Sequence, residues 1–61
     1  MKTKILNLQL QVKQLVDYIY LKIEQTDWHG VSDAANDIRE LEAQIKLLKE
    51  LDADLLGIER N

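Results

Sequence analysis

The strongest constraint on the fold of this chain is a pair of apolar stripes, separated by a short polar break at Thr26-Asp27. Within each stripe, apolar or small residues recur at gaps of three and four, which places them on one side of an α-helix. The first stripe consists of Ile5, Leu8, Val12, Leu15, Ile19 and Ile23. The second stripe consists of Gly30, Ala34, Ile38, Leu41, Ile45 and Leu48. The pattern predicts an all-α protein with two amphipathic helices.

The polar break predicts the bend of an antiparallel helical hairpin. We expect the first helix to run over about residues 3–25 and the second over about residues 28–56. Asp27 is the favoured N-cap of the second helix, because its carboxylate can accept hydrogen bonds from the unpaired amides of the first turn. The alternative is a loop that continues through Gly30, with Ser32 as the cap.

A reversal at Asp27 also predicts which residues face each other. Residues about equally far from Asp27 should pair, from Ile23 with Gly30 at the bend to Ile5 with Leu48 at the open end. The layers between them are Ile19 with Ala34, Leu15 with Ile38, Val12 with Leu41 and Leu8 with Ile45. Because the two stripes meet layer by layer around one turn, the sequence predicts a single hairpin domain over residues 1–61.

Apolar residues outside the two stripes predict contacts with other copies of the chain. In the expected register the second helix extends past the first, so its last apolar residues have no partner within the hairpin. The expected oligomer contacts are Leu47, Leu51, Leu55, Ile58, Leu6, Leu10 and Tyr20. A chain of 61 residues without cysteine also has little core with which to stabilise itself. We therefore predict a homo-oligomer, with a dimer of hairpins favoured over a larger helical bundle.

Composition argues against several classes of function. The net charge of −3 disfavours nucleic-acid binding, which needs clustered lysine and arginine. No apolar run reaches the ~20 residues that span a bilayer, and the N-terminus does not resemble a signal peptide, so we expect a cytoplasmic protein without membrane association. There is no paired nucleophile and base and no glycine-rich phosphate loop, so we predict no enzymatic activity and no cofactor.

The residues that follow the bend are the candidates for ligand binding. Trp28 lies on the same side of the second helix as Arg39 and Lys46, and an indole beside a guanidinium near a helix N-terminus suits a nucleobase and its phosphate. The alternative interpretation is that Trp28 closes the end of the bundle by packing on Val31 or Tyr20.

His29 and Lys46 also have two interpretations each. His29 and Asp33 have the spacing to share a divalent cation that a neighbouring subunit completes, whereas acids in the first turns of a helix are expected anyway at its positive end. Lys46 is equally well explained as the ion-pair partner of Glu42 one turn earlier. The candidate ligand-binding residues are thus Trp28, His29, Arg39 and Lys46, and no metal site is assigned.

Three segments in the middle of the chain resemble short proteins encoded by bacteriophages and prophages. They are Asp27-Trp28-His29-Gly30-Val31, Asp33-Ala34-Ala35 and Asp37-Ile38-Arg39-Glu40-Leu41-Glu42-Ala43. The resemblance implies a small accessory protein in the cytoplasm of the host cell that binds and inhibits or sequesters a host factor. That factor would be a host protein or a signalling nucleotide of bacterial immunity. The alternative function is a structural or assembly module without a host target.

Overall fold

The computed structural model describes the backbone of residues 2–56 and the side chains of residues 2–51. It contains helix α1, Lys2–Glu24, and helix α2, Trp28–Leu56. The two helices pack against each other as an antiparallel hairpin of 47 × 17 × 15 Å. The predicted all-α hairpin is confirmed, and each helix boundary lies within one residue of its predicted position. Over the residues described, neither helix is long and apolar enough to cross a membrane.

Helix α1 ends in a Schellman motif whose left-handed residue is Thr26. The Asp27 amide donates a hydrogen bond to the Lys22 carbonyl and the Thr26 amide donates one to the Ile23 carbonyl, each at 2.9 Å. These are the two hydrogen bonds of this C-cap. Thr26 has a φ of 55°, a region in which a β-branched side chain is crowded and glycine is the usual residue. The chain reverses here at the cost of local strain.

Asp27 begins α2 directly after this turn. Its Oδ1 atom accepts a hydrogen bond from the Gly30 amide at 3.0 Å, and its carbonyl accepts one from the Val31 amide at 3.2 Å. This is N-cap geometry, so the prediction of Asp27 rather than Ser32 as the cap is confirmed. A Cβ atom on Gly30 would lie 3.0 Å from Asp27 Oδ2 and 3.1 Å from Lys22 Cδ. The close approach of these two side chains explains a glycine in the first turn.

The seam between the helices follows the predicted stripes over most of its length. Leu8, Ala34 and Ile45 are buried, with exposures of 6, 2 and 9%. The half-buried members of the stripes are Ile5, Val12, Leu15, Ile19, Ile38, Leu41 and Leu48. Because each helix has a single neighbour, these layers stay open at their edges. Three buried apolar side chains among residues 2–51 form a small core for a protein that folds alone.

The layer nearest the bend corrects the predicted pairing of Ile23 with Gly30. Ile23 is 43% exposed, and the side chain of Lys22 lies beside Gly30 instead. The reason is the alternation of gaps: after Ile19 a gap of three continues the alternating pattern and reaches Lys22, whereas Ile23 would require two consecutive gaps of four. The aliphatic stem of a lysine can cover such a position while its ammonium stays near solvent.

We expect Ala34→Leu to destabilise the hairpin by about 1–3 kcal/mol, because the larger side chain has no space where the helices meet most closely. Thermal unfolding followed by circular dichroism, at one fixed protein concentration, measures the effect. Ala43→Leu, at an exposed position of α2, is the matched control and should leave the Tm nearly unchanged. Equal Tm values for the two variants would contradict the register described above.

We expect Thr26→Gly to raise the free energy of unfolding by about 1 kcal/mol or less. Glycine removes the strain at φ 55°, and the larger entropy of the unfolded glycine chain offsets part of that gain. Gln25→Gly is the control, since Gln25 lacks a positive φ and the substitution should destabilise the protein. Urea unfolding of both variants tests the sign of each effect, and a less stable Thr26→Gly protein would refute the strain.

Candidate interaction surface

Lys22 links the last turn of α1 to the first turn of α2. Its Nζ atom lies 3.5 Å from Asp27 Oδ2, 3.3 Å from Gln25 Oε1 and 5.0 Å from the centre of the Tyr18 ring. The side chain is 20% exposed, so most of its stem is covered by neighbours. Lys22 therefore contributes packing as well as charge at the bend.

The pKa values of Asp27 and Lys22 are shifted in opposite directions. The hydrogen bond from the Gly30 amide lowers the pKa of the Asp27 carboxyl below its usual 3.8, and the Lys22 ammonium lowers it further. The Tyr18 side chain beside the ammonium raises the pKa of Lys22, and Asp27 adds to that effect. Both groups are thus held in their charged forms at neutral pH.

Trp28 and His29, which follow the cap, project into solvent. Trp28 is 62% exposed, and Tyr20 is 67% exposed, so the indole is not buried within the single hairpin. His29 Nε2 lies 3.4 Å from Asp33 Oδ2, with both side chains largely exposed. Within the part of the chain that the structure describes, no group of three or more potential ligands is arranged to hold a metal ion.

The structure does not bring the four predicted ligand-binding residues into one pocket. Arg39 and Lys46 are exposed on α2, and Arg39 follows Trp28 by eleven positions along the helix, a rise of about 16 Å. The expected Glu42–Lys46 ion pair does not form among the contacts of residues 2–51. Both side chains instead border an open groove of about 490 Å³ between the helices. The groove is lined by Gln9, Val12, Glu42, Ile45, Lys46, Lys49 and Glu50.

This groove lies on one side of the hairpin. Helical spacing shows which residues nearer the bend lie on that same side. On α1 the row that begins at Gln9 continues through Val16, Tyr20 and Ile23, and on α2 the row of Lys46 includes Trp28, Val31 and Ala35. We call the part near the bend the apolar face. It consists of Val16, Tyr20, Ile23, Val31 and Ala35, with Trp28 at its bend end. Val16, Tyr20 and Ile23 are 37, 67 and 43% exposed.

The leucines that we expected at oligomer contacts lie elsewhere on the surface. Leu6 and Leu10 lie on the outer side of α1, with exposures of 59 and 57%. Leu47 and Leu51, which are 55 and 41% exposed, occupy the outer side of α2. The side chains of Leu55 and Ile58 lie outside the described residues. The exposed leucines therefore form separate groups, and Tyr20 belongs to the apolar face.

Two features of this surface were missed by sequence reasoning. The exposed position of Ile23 follows from the same alternation of gaps that brings Lys22 to the seam, and this signal is present in the sequence. The second feature is Tyr18, whose ring lies under the Lys22 ammonium on the opposite edge of α1 from Tyr20. It therefore has a structural role at the bend.

No protein-family model, curated protein or solved structure matches this chain. The resemblance to phage proteins stays a prediction, and function is inferred from that resemblance together with the exposed surface.

The stability of the protein should fall as the pH is lowered through the acid range. Since the folded pKa of Asp27 lies below 3.8, its contribution is complete above about pH 5 and is lost as the pH falls below about 4. Asp27→Asn keeps a capping oxygen but no charge. It should therefore lower the Tm at about pH 7 and reduce the further fall between about pH 6 and about pH 3.

Asp37→Asn removes an exposed carboxylate of α2 away from the bend and serves as the control. Its Tm should fall with acid as steeply as that of the unaltered protein. If Asp27→Asn shows the same steep fall, the Asp27 carboxylate is not the group that couples folding to pH.

Proposed function

We propose that this protein is a non-enzymatic, homo-oligomeric accessory protein of phage type that binds and inhibits or sequesters a host factor. The observation that supports binding is the distribution of large apolar side chains over residues 2–51, where ten are exposed and three apolar residues are buried. The apolar face is the contiguous part of this surface, and contiguous exposed apolar patches mark contacts with other molecules. The phage and host parts of the proposal are based on the sequence resemblance.

A host protein fits this surface better than a nucleotide does. Small-molecule sites are concave and cover most of the ligand, whereas the grooves along the described residues are open to solvent. Trp28 and Arg39 are also about three helical turns apart, so a single hairpin does not enclose a base and its phosphate between them. Exposed tryptophan and tyrosine are typical of the residues that dominate binding energy at protein interfaces.

Trp28 is the residue whose loss should weaken host-factor binding most. Trp28→Ala should reduce the affinity by at least about tenfold, as truncation of a central aromatic side chain does at other interfaces. The tagged protein is used to recover partners from bacterial lysate, the recovered protein is quantified by mass spectrometry, and its affinity is measured with purified components. Helicity should be unchanged, because Trp28 is 62% exposed in the hairpin.

His29→Ala is the matched control, since His29 is adjacent and even more exposed. Stoichiometric recovery of one partner by the unaltered protein and by His29→Ala, but not by Trp28→Ala, supports the proposal. A thermal-shift screen with linear and cyclic nucleotides runs in parallel, and a nucleotide that raises the Tm would replace the protein partner. Absence of any partner or ligand in both experiments would favour a structural module.

A further inference from the structure

We infer that the apolar face is the surface through which two copies of this chain associate, side by side and with their bends at the same end. The inference rests on the self-association in the proposed function and adds its surface and orientation. In such a two-fold dimer, α1 of each copy lies over α2 of the other, and the four helices enclose one common core.

The first support is the match of side-chain size across the face. In the parallel arrangement, residues about equally far from Asp27 come to the same level. The large Tyr20 then lies over the small Ala35 of the second copy, and Ile23 lies over Val31 of the second copy. The pairing of Tyr20 with Ala35 thus sets a large side chain against a small one, which is how facing helices fill a core.

The second support is charge complementarity along the same two rows. Lys13 and Asp17 of α1 are exposed and form a loose ion pair at 3.9 Å. At about the level of Lys13, α2 carries Glu42, which is also exposed. The parallel arrangement places Lys13 near Glu42 of the second copy, so a positive charge meets a negative one.

The third support is area. The whole side of the hairpin measures 47 by 17 Å, on the order of 800 Å² of surface, which is about the area per partner in a stable protein interface. An interface of that size requires the groove as well as the apolar face. Two copies that overlap only at their bends, with their open ends pointing apart, would cover a fraction of this. The half-buried layers of the seam would then remain open on that side.

The test compares matched variants by sedimentation over a series of concentrations. Tyr20→Glu should weaken the dimer by at least about a hundredfold, since it buries two unpaired charges. Leu10→Glu is the control, because Leu10 lies in the same helix with a comparable exposure of 57% but outside the apolar face. A dimer that survives Tyr20→Glu and is lost in Leu10→Glu would overturn the inference in favour of the leucine surface.

A charge exchange tests the orientation even if Tyr20→Glu fails to fold. Lys13→Glu should weaken the dimer about five- to tenfold, because each substitution acts twice in a two-fold dimer. Adding Glu42→Lys should restore most of the affinity, although the carboxylate introduced by Lys13→Glu still faces Asp17 within its own helix. No recovery in the double variant would contradict the pairing of α1 with α2 of the second copy.

The orientation is measured directly with a spin label at Lys4→Cys, at the open end of the hairpin. A parallel dimer places the two labels within about 30 Å, given helix spacings of 8–10 Å, whereas the antiparallel or bend-to-bend arrangement separates them by about the length of the hairpin or more. A long distance would refute the parallel dimer only. A monomeric unaltered protein would refute self-association itself and, with it, that part of the proposed function.

Discussion

The carboxylate of Asp27 is the interaction on which the rest of the hairpin depends. One oxygen accepts the hydrogen bond of the Gly30 amide and so begins α2, and the other lies 3.5 Å from Lys22 at the end of α1. The same residue donates the 2.9 Å hydrogen bond that closes the Schellman turn. One residue closes α1 and caps α2, so this single turn fixes the axial register of α1 against α2. That register determines which residues face each other along the seam.

The second constraint is the number of neighbours that each helix has. A helix in a two-helix hairpin contacts one partner, so its stripe of apolar residues is covered on one side only. Among the apolar side chains of residues 2–51, just Leu8, Ala34 and Ile45 are buried. More apolar surface would have to be covered for a chain of this size to be stable. The exposed apolar face and the exposed leucines are therefore best understood as surface that other molecules cover, and this connects the weakness of the core to the proposed binding function.

The sequence was sufficient to predict the elements and most of the seam, because periodicity and capping are local properties. Leu8 and Ile45 recur at helical spacing, and Asp27 is a strong capping residue in any context. Lys22 was missed because a charged residue is not counted in an apolar pattern, although its stem packs like one. A shared site for the candidate ligand residues was harder still to predict. Trp28 and Arg39 lie on the same side of α2 but at different positions along its axis. Whether such exposed residues act together depends on a partner that lies outside the chain.

Self-association and partner binding are coupled if both use this side of the hairpin. In a parallel dimer the two Trp28 side chains lie at the same end, next to two copies of the Asp27 cap, so a partner would meet a paired aromatic surface. An antiparallel dimer would place the two indoles at opposite ends and present each one alone. A partner that contacts both tryptophans would bind the dimer more tightly than the monomer and would stabilise the dimer by mass action. The register of the two helices that Asp27 fixes would then determine the shape of the binding surface as well as that of the hairpin.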